Sequence, residues 1–230
     1  LGSQVFLRNY FLSHALARAE NNTASTAQAF ENALYSITTR FVDICGTTEF
    51  KNRFSRIRRC KNEDYTKLNS DLQDTLHDLY VSSSLIRSAL ITSKTGMVYH
   101  RFSESLFTDT DYTLGNPAKS ICGITILPAQ TSPFLDQQTV IPIAIPLTYM
   151  ENTTIVIVAD SVESSDAILF LLLDAGMVRD FLHTYSDRSS EGSYYLLDSG
   201  NLIADASRTN TKLPDSDVFR PLPNRKDALT

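Results

Sequence analysis

Apolar residues in the first third of the chain recur at helical intervals. Ala27, Phe30, Leu34, Ile37, Phe41 and Ile44 are spaced three, four, three, four and three apart, a narrow stripe with a heptad period. Leu12 and Leu16 carry the same face backwards, and residues 3–45 hold neither Pro nor Gly before Gly46 supplies a stop. The spacing predicts a long helix over residues 1–46, with two shorter packed helices broken near residues 21–22 as the alternative. A helix of about 40 residues is roughly 60 Å long at 1.5 Å per residue. Such a thin seam suits a partner helix, so a second copy can pair along it; packing on the chain's own sheet is the other use. Phe50, Phe54 and Ile57 then mark a short amphipathic helix. Leu68, Leu72, Leu76 and Leu79 stripe another over residues 64–80.

After residues 82–84 (SSS) the period changes from helix to strand. Segments 85–92 (LIRSALIT) and 97–102 (MVYHRF) flank Ser93-Lys94-Thr95-Gly96, a hairpin with Gly96 at the positive-φ position. Residues 103–119 carry acids and Gly115-Asn116-Pro117 and read as irregular, and 121–127 is a short strand ended by Pro128. Strands follow at 139–147 (TVIPIAIPL), 153–160 (TTIVIVAD) and 167–173 (AILFLLL), joined by gaps short enough to favour antiparallel neighbours. Pro142 and Pro146 predict an edge position or a bulge, because proline has no N–H to donate. Helix returns at 175–185 (AGMVRDFLHTY). Beyond a soft stretch at 186–192, residues 194–197 and 202–204 form a second hairpin about Asp198-Ser199-Gly200-Asn201. The remainder, with Pro214, Pro221 and Pro223, reads as irregular or as the start of another module.

Composition removes several classes of function. With 230 residues, 42% hydrophobic and 20% charged, the chain is globular and needs no disulfide or metal to hold a core. A net charge of −5 argues against nucleic acid as a partner. The longest apolar run, 167–178 (AILFLLLDAGMV), is far short of the ~20 residues of a membrane span. Three scattered cysteines exclude a disulfide framework and a zinc ribbon; they read as core apolars or free thiols, with a Cys45–Cys60 bridge across the Gly46 turn left open. His14, His77, His100 and His183 are isolated, so no metal site is visible. There is no G-x-S-x-G, phosphate-binding loop or C-x-x-C, and no cofactor motif. Grouped acids such as Asp109/Asp111 and Asp160/Glu163/Asp166 read as turn residues. The chain is therefore expected not to be an enzyme, to have no catalytic residues and to carry no cofactor. The cationic run Lys51, Arg53, Arg56, Arg58, Arg59 and Lys61 reads as a solvated helix face, with an anion or membrane-surface patch as the alternative.

The phrases IPIAIPLTY, TTIVIVADS, AILFLLLDAGMVRDFL and YYLLDSGNLIADAS, with GITILPAQ ahead of them, resemble the Cache family of PAS-like extracytoplasmic sensor domains. They are similar to versions in double Cache ectodomains of Firmicute histidine kinases and membrane-bound AraC-type regulators. The resemblance implies an α+β fold: a long N-terminal helix on a PAS-like antiparallel five-stranded sheet, followed by a partial or small second module. It divides the chain into a signalling helix (1–46), a helical segment (47–84), a sensor core (85–185) and a membrane-proximal module or linker (186–230). It also implies an extracytoplasmic, membrane-anchored receptor, a homodimer through the N-terminal helix, and membrane spans flanking this segment, which opens without Met and stops in mid-phrase. The ligand would be a small molecule held between the sheet and the irregular mid-section. Tyr99 and Arg101, two apart and so on one side of a strand, could hold a carboxylate unless that side faces solvent. Tyr112 is the candidate from the mid-section. Asp174 is either an amine contact or the cap of the next helix. Amino-acid-binding members use Arg, Trp, Tyr and Asp at set places; with no Trp here, an amino-acid ligand is not implied. A non-catalytic surface or adhesion module is the rival reading.

Overall fold

A single unbroken helix, α1 (Gly2–Gly46), opens the chain; its 45 residues correspond to roughly 68 Å. The computed structural model describes residues 2–60, 62–100, 121–132, 138–185, 195–198 and 201–205, with backbone alone at 2–20, 62, 185, 195–198 and 201–205. Phe30, Ile37, Phe41 and Ile44 are buried in the chain's own core, Leu34 is half-buried and Ala27 is exposed. From Phe30 to Ile44 the heptad stripe therefore serves this chain's interior, and is not a free seam for a partner helix.

Thr47 separates α1 from α2 (Thr48–Ile57). Its hydroxyl donates back to the Ile44 carbonyl at 2.7 Å and accepts the Phe50 N–H at 3.2 Å, ending one helix and capping the next. Helix α2 buries Phe50, Phe54 and Ile57. After a short 3₁₀ turn (Asn62–Asp64), α3 (Tyr65–Val81) turns Leu68, Leu72, Leu76 and Leu79 inward.

The strands are β1 (Ile86–Ser93), β2 (Val98–His100), β3 (Thr125–Ile126), β4 (Gln130–Thr131), β5 (Thr139–Met150), β6 (Ile155–Val158) and β7 (Ala167–Asp174). All pairings are antiparallel. Gly96, at φ 82°, makes the β1–β2 turn as expected. The sheet is five positions wide, β2-β1-β7-β5 and then an outer position shared by β4, β3 and β6, each paired with a successive stretch of β5. Residues 121–127 therefore do not form one strand: only Thr125–Ile126 pairs there, and Gln130–Thr131 pairs further along.

The prolines account for this broken edge. Strand β5 is flanked on both sides, not at an edge, and pairs with β7 without interruption from Val140 to Leu147. The Pro142 and Pro146 carbonyls accept N–H bonds from Leu127 and Ala159, both at 2.8 Å, so the missing proline donors face the outer side. A long partner strand there would meet two gaps four residues apart; three short segments avoid them.

Helix α4 (Ala175–Tyr185) follows β7 directly. The second hairpin forms from β8 (Tyr195–Asp198) and β9 (Asn201–Asp205). Among the described residues, no helix is long and apolar enough to cross a membrane.

Candidate ligand-binding face

The sheet has two faces, and β7 builds both. Leu169, Leu171 and Leu173 join Ile141, Ile143, Ile145 and Leu147 in the core shared with the helices. Ile168, Phe170 and Leu172 point the other way, to a far face with Leu90, Val98, Val140 and Ala144, over which Ile121, Leu127 and Val162 pack. Register places His100, Leu90, Phe170, Ala144 and Thr125 in one row across five strand positions. Neighbouring rows hold Thr92, Ile168 and Pro146 on one side and Ser88, Leu172 and Pro142 on the other. Cross-strand partners share a face. The far face is thus an apolar floor with Ser88, Thr92 and His100 buried along its β1–β2 margin.

A bulge puts Ser88 there. Ile86 pairs with Leu173 and Ser88 with Leu172, so Arg87 is the extra residue. Its side chain turns out to solvent, where Nε donates to Gln138 Oε1 at 3.1 Å. In a regular strand Ser88 would share the helix-side face of Ile86; the bulge re-aims it. Its Oγ is buried and has no hydrogen-bond partner among the described residues. The same is true of Nε2 of Gln130, which lies opposite Val140 on the far face.

The residues expected from the sequence are distributed differently. Tyr99 pairs with Ile91, is 0% exposed, and lies on the helix side of β2. Its ring is 5.5 Å from that of Tyr65 and its hydroxyl donates to Met97 Sδ at 3.6 Å. Burial, then the neighbouring Cys60 thiol, push its phenol well above the ordinary tyrosine range. The same two causes raise Tyr65, whose hydroxyl donates to the Val98 carbonyl at 2.5 Å. On this strand the far-face positions belong to Val98 and His100. Arg101 and Tyr112 lie outside the described residues. Asp174 ends β7, and its Oδ1 accepts the Met177 N–H at 3.0 Å, capping α4. Sequence reasoning missed Ser88, His100, Gln130 and Phe170. A parity count along β2 would have found His100, but the bulge that turns Ser88 to the far face leaves no mark in LIRSALIT.

The four arginines of the cationic run are matched by acids. Arg53 pairs with Glu49 and donates to Thr75 Oγ1 at 3.1 Å, and Arg56 meets Asp71 at 2.8 Å. Arg58 reaches Glu151 at 3.3 Å and Asp166 at 3.1 Å, and Arg59 reaches Glu151 at 3.2 Å. Arg53 and Arg56 tie α2 to α3, while Arg58 and Arg59, just past α2, reach the ends of β5 and β7. Cys45 and Cys60 are not joined in a disulfide, so the bridge left open by the sequence is not formed.

No family model matches the chain, and no curated protein does. Among solved structures it is similar to the sensory domain of the Campylobacter jejuni chemoreceptor Tlp3 (CcmL) with isoleucine bound. That match has 12% identity and a TM-score of 0.51, covering 95% of this chain and 78% of the other. The Tlp3 ligand-binding domain in complex with L-valine gives the same figures. The complex with L-norvaline gives 14% identity, a TM-score of 0.51 and coverage of 92% and 73%. At these identities the likeness is one of fold. The fold is the Cache-like, PAS-type α+β arrangement that the sequence resemblance implied.

Proposed function

We propose that this chain is the ligand-sensing domain of an extracytoplasmic receptor belonging to a bacterial transmembrane signalling protein, a histidine kinase or a membrane-bound transcription regulator, and is not itself an enzyme. The observation that carries the reading is the far face: an apolar floor with the buried Ser88 Oγ and Gln130 Nε2 along it, in a fold shared with sensory domains solved with isoleucine or L-valine bound. Ligand sites have this composition, mostly apolar with a few polar groups. Arg101 and Tyr112, between β2 and β3, complete the proposed contacts; Tyr99, on the helix side, supports the strand from behind.

Strand β7 offers the route for the signal. Its far side carries Phe170 and Leu172, its near side packs on the helices, and it runs into α4 with no loop between. Phe181 of α4 meets Phe30 of α1 edge-on, ring centroids 6.1 Å apart. A ligand on the floor would favour one setting of β7, and through α4 one packing of α1, as a shift between pre-existing populations. Homodimerisation through α1 would use a face other than its Phe30–Ile44 stripe, and membrane anchoring would come from flanking segments.

Thermal unfolding against small carboxylates, amines, sugars and aliphatic amino acids tests this reading. A sensor is expected to show a rise in Tm that grows with the concentration of at least one class. A flat response to the whole panel would favour the surface-module reading.

A further inference from the structure

We infer that β6 is a self-association edge: it pairs antiparallel with β6 of a second copy about a two-fold axis at Ile157, making one sheet across both. The inference stands apart from the sensing function. Large apolar side chains that are exposed among the described residues are concentrated here. Ile124, Met150, Ile155, Ile157 and Val158, each 36–46% exposed, all lie at the sheet's outer edge around β5 and β6; the rest are spread over three helices. Among the described strands β6 pairs with β5 alone, so its other side is open. Open edges are usually blunted by a charge, a proline or a bulge. Residues 153–159 (TTIVIVA) hold no charge and no proline, and the β5–β6 register runs without a shift.

The register fixes how two copies meet. The Ala159 N–H donates to the Pro146 carbonyl at 2.8 Å, so Ala159, Ile157 and Ile155 bond towards β5. Val156 and Val158, between them, turn their N–H and C=O groups outward. Antiparallel pairing about Ile157 sets Val156 opposite the partner's Val158, and Val158 opposite the partner's Val156. Each of these pairs exchanges two N–H···O bonds, and the two-fold makes the ladder self-complementary. The side chains agree with it. Ile157 meets its own copy at the close non-bonded spacing, about 4.5 Å between Cα atoms. Ile155 falls opposite the partner's small Ala159, and Asp160 opposite the partner's Thr154, so no acid faces an acid in this register. Any extended strand offers the backbone bonds; the match of this edge to itself in bonding, bulk and charge selects a second copy. An edge of four residues buries far less than the ~1,600 Å² of a standard interface, so the dimer is weak, half formed on the order of 100 µM.

Sedimentation of the purified chain over a concentration series up to about 500 µM tests this, with a dimer fraction expected to grow with concentration. Ile157→Lys sets like charges against each other at the axis, and Val158→Pro removes an outward N–H without touching the bonds to β5. Each should keep the wild-type circular dichroism and weaken association by about tenfold or more. Disulfide trapping reads the register itself. In a chain carrying Cys60→Ser and Cys122→Ser, Ile157→Cys should cross-link to its own copy under mild oxidation about tenfold faster than Val156→Cys or Val158→Cys. Those two positions stand two residues out of register with their own copies, beyond the ~7 Å that a disulfide spans. A chain monomeric throughout, dimers that survive Ile157→Lys, or equal cross-linking at the three positions would each overturn the inference. A monomeric chain that instead binds a labelled peptide of alternating Thr and Val would give the edge to a foreign strand, and overturns it too.

Discussion

Substitutions at Asp174 separate the two roles its position allows. The carboxylate caps α4 through the Met177 N–H at 3.0 Å, and losing such a cap costs about 1 kcal/mol. In a chain of this size each kcal/mol moves Tm by about 2–4 °C, so Asp174→Ala should lower it by that amount. Asp174→Ser, whose hydroxyl accepts the same bond, should lose less than about half as much. Gly176 supplies the control. A Cβ there would sit 3.1 Å from Asp174 Oδ1, tight enough to push the capping oxygen away. Alanine in place of a helical glycine gains about 0.5–1 kcal/mol, and at this site the displaced cap offsets that gain. Gly176→Ala should therefore be close to neutral in the wild type and stabilising by up to ~1 kcal/mol once Asp174 is alanine. Urea and thermal unfolding of the four proteins, followed by circular dichroism, gives the coupling energy directly. Additivity within about 0.3 kcal/mol would refute the cap geometry. The serine variant also examines the amine contact expected from the sequence: if it keeps its Tm but loses the response to an amine probe, the carboxylate touches ligand as well.

Four further outcomes follow from the packing. Thr154 adopts φ 52°, a left-handed conformation that costs a β-branched residue about 1–2 kcal/mol, so Thr154→Gly should raise Tm by roughly 2–6 °C; no rise would mean that the β5–β6 turn relaxes in solution. Burial pushes the Cys45 thiol from 9.0 up to about 12, so the folded state holds that proton more tightly than the unfolded chain. The resulting stability is complete below pH 9 and is lost as pH rises towards 12, by up to about 4 kcal/mol, and Cys45→Ala should flatten that decline. At pH 8 a thiol reagent should modify exposed Cys122 at once and Cys45 only on unfolding; equal rates would overturn the burial. Asp166 Oδ2 accepts Tyr149 N–H at 2.8 Å and the Thr148 hydroxyl at 3.1 Å, while Oδ1 meets Arg58 at 3.1 Å. Asp166→Ala should cost about 2–3 kcal/mol by urea unfolding and Asp166→Asn, which still accepts the strand bonds, about 1 or less; equal losses would place the whole effect in the exposed Arg58 pair.

Most elements were legible because each helix buries a single stripe and each turn carries its own chemistry. The Phe50, Phe54, Ile57 and Leu68, Leu72, Leu76, Leu79 series are all buried, and Gly96 takes the positive φ that its hairpin requires. What the stripe of α1 packs against was not legible: a heptad period fits a partner helix and a narrow core equally well, and the burial of Phe30, Ile37, Phe41 and Ile44 in the chain's own core decides between them. Pro142 and Pro146 announced a break in pairing but not on which side. That depended on which way their carbonyls point, and alternate residues of β5 face opposite neighbours. The run AILFLLL carries no alternation at all, because both of its faces are buried.

The site was harder to read than the fold for a related reason. Which face a strand residue occupies is a parity, and one irregularity inverts it. Tyr99 and Arg101 place an aromatic beside a cation in the sequence, but the register Ile91↔Tyr99 assigns Tyr99 to the helix side, behind the floor. Arg87 shifts the other strand, so that Ile86 and Ser88, two apart, face opposite sides. The bulge gives up one regular pair and in exchange places a hydroxyl on an otherwise aliphatic surface. Because the bulge pairs with Leu172 and Leu173, any shift of β1 there would fall on the last residues of β7. The next residue, Asp174, is already the cap of α4. The bulge, the strand end and the helix start are thus consecutive in the structure, a continuity through which the proposed signal would pass from the far face to α4 without a loop.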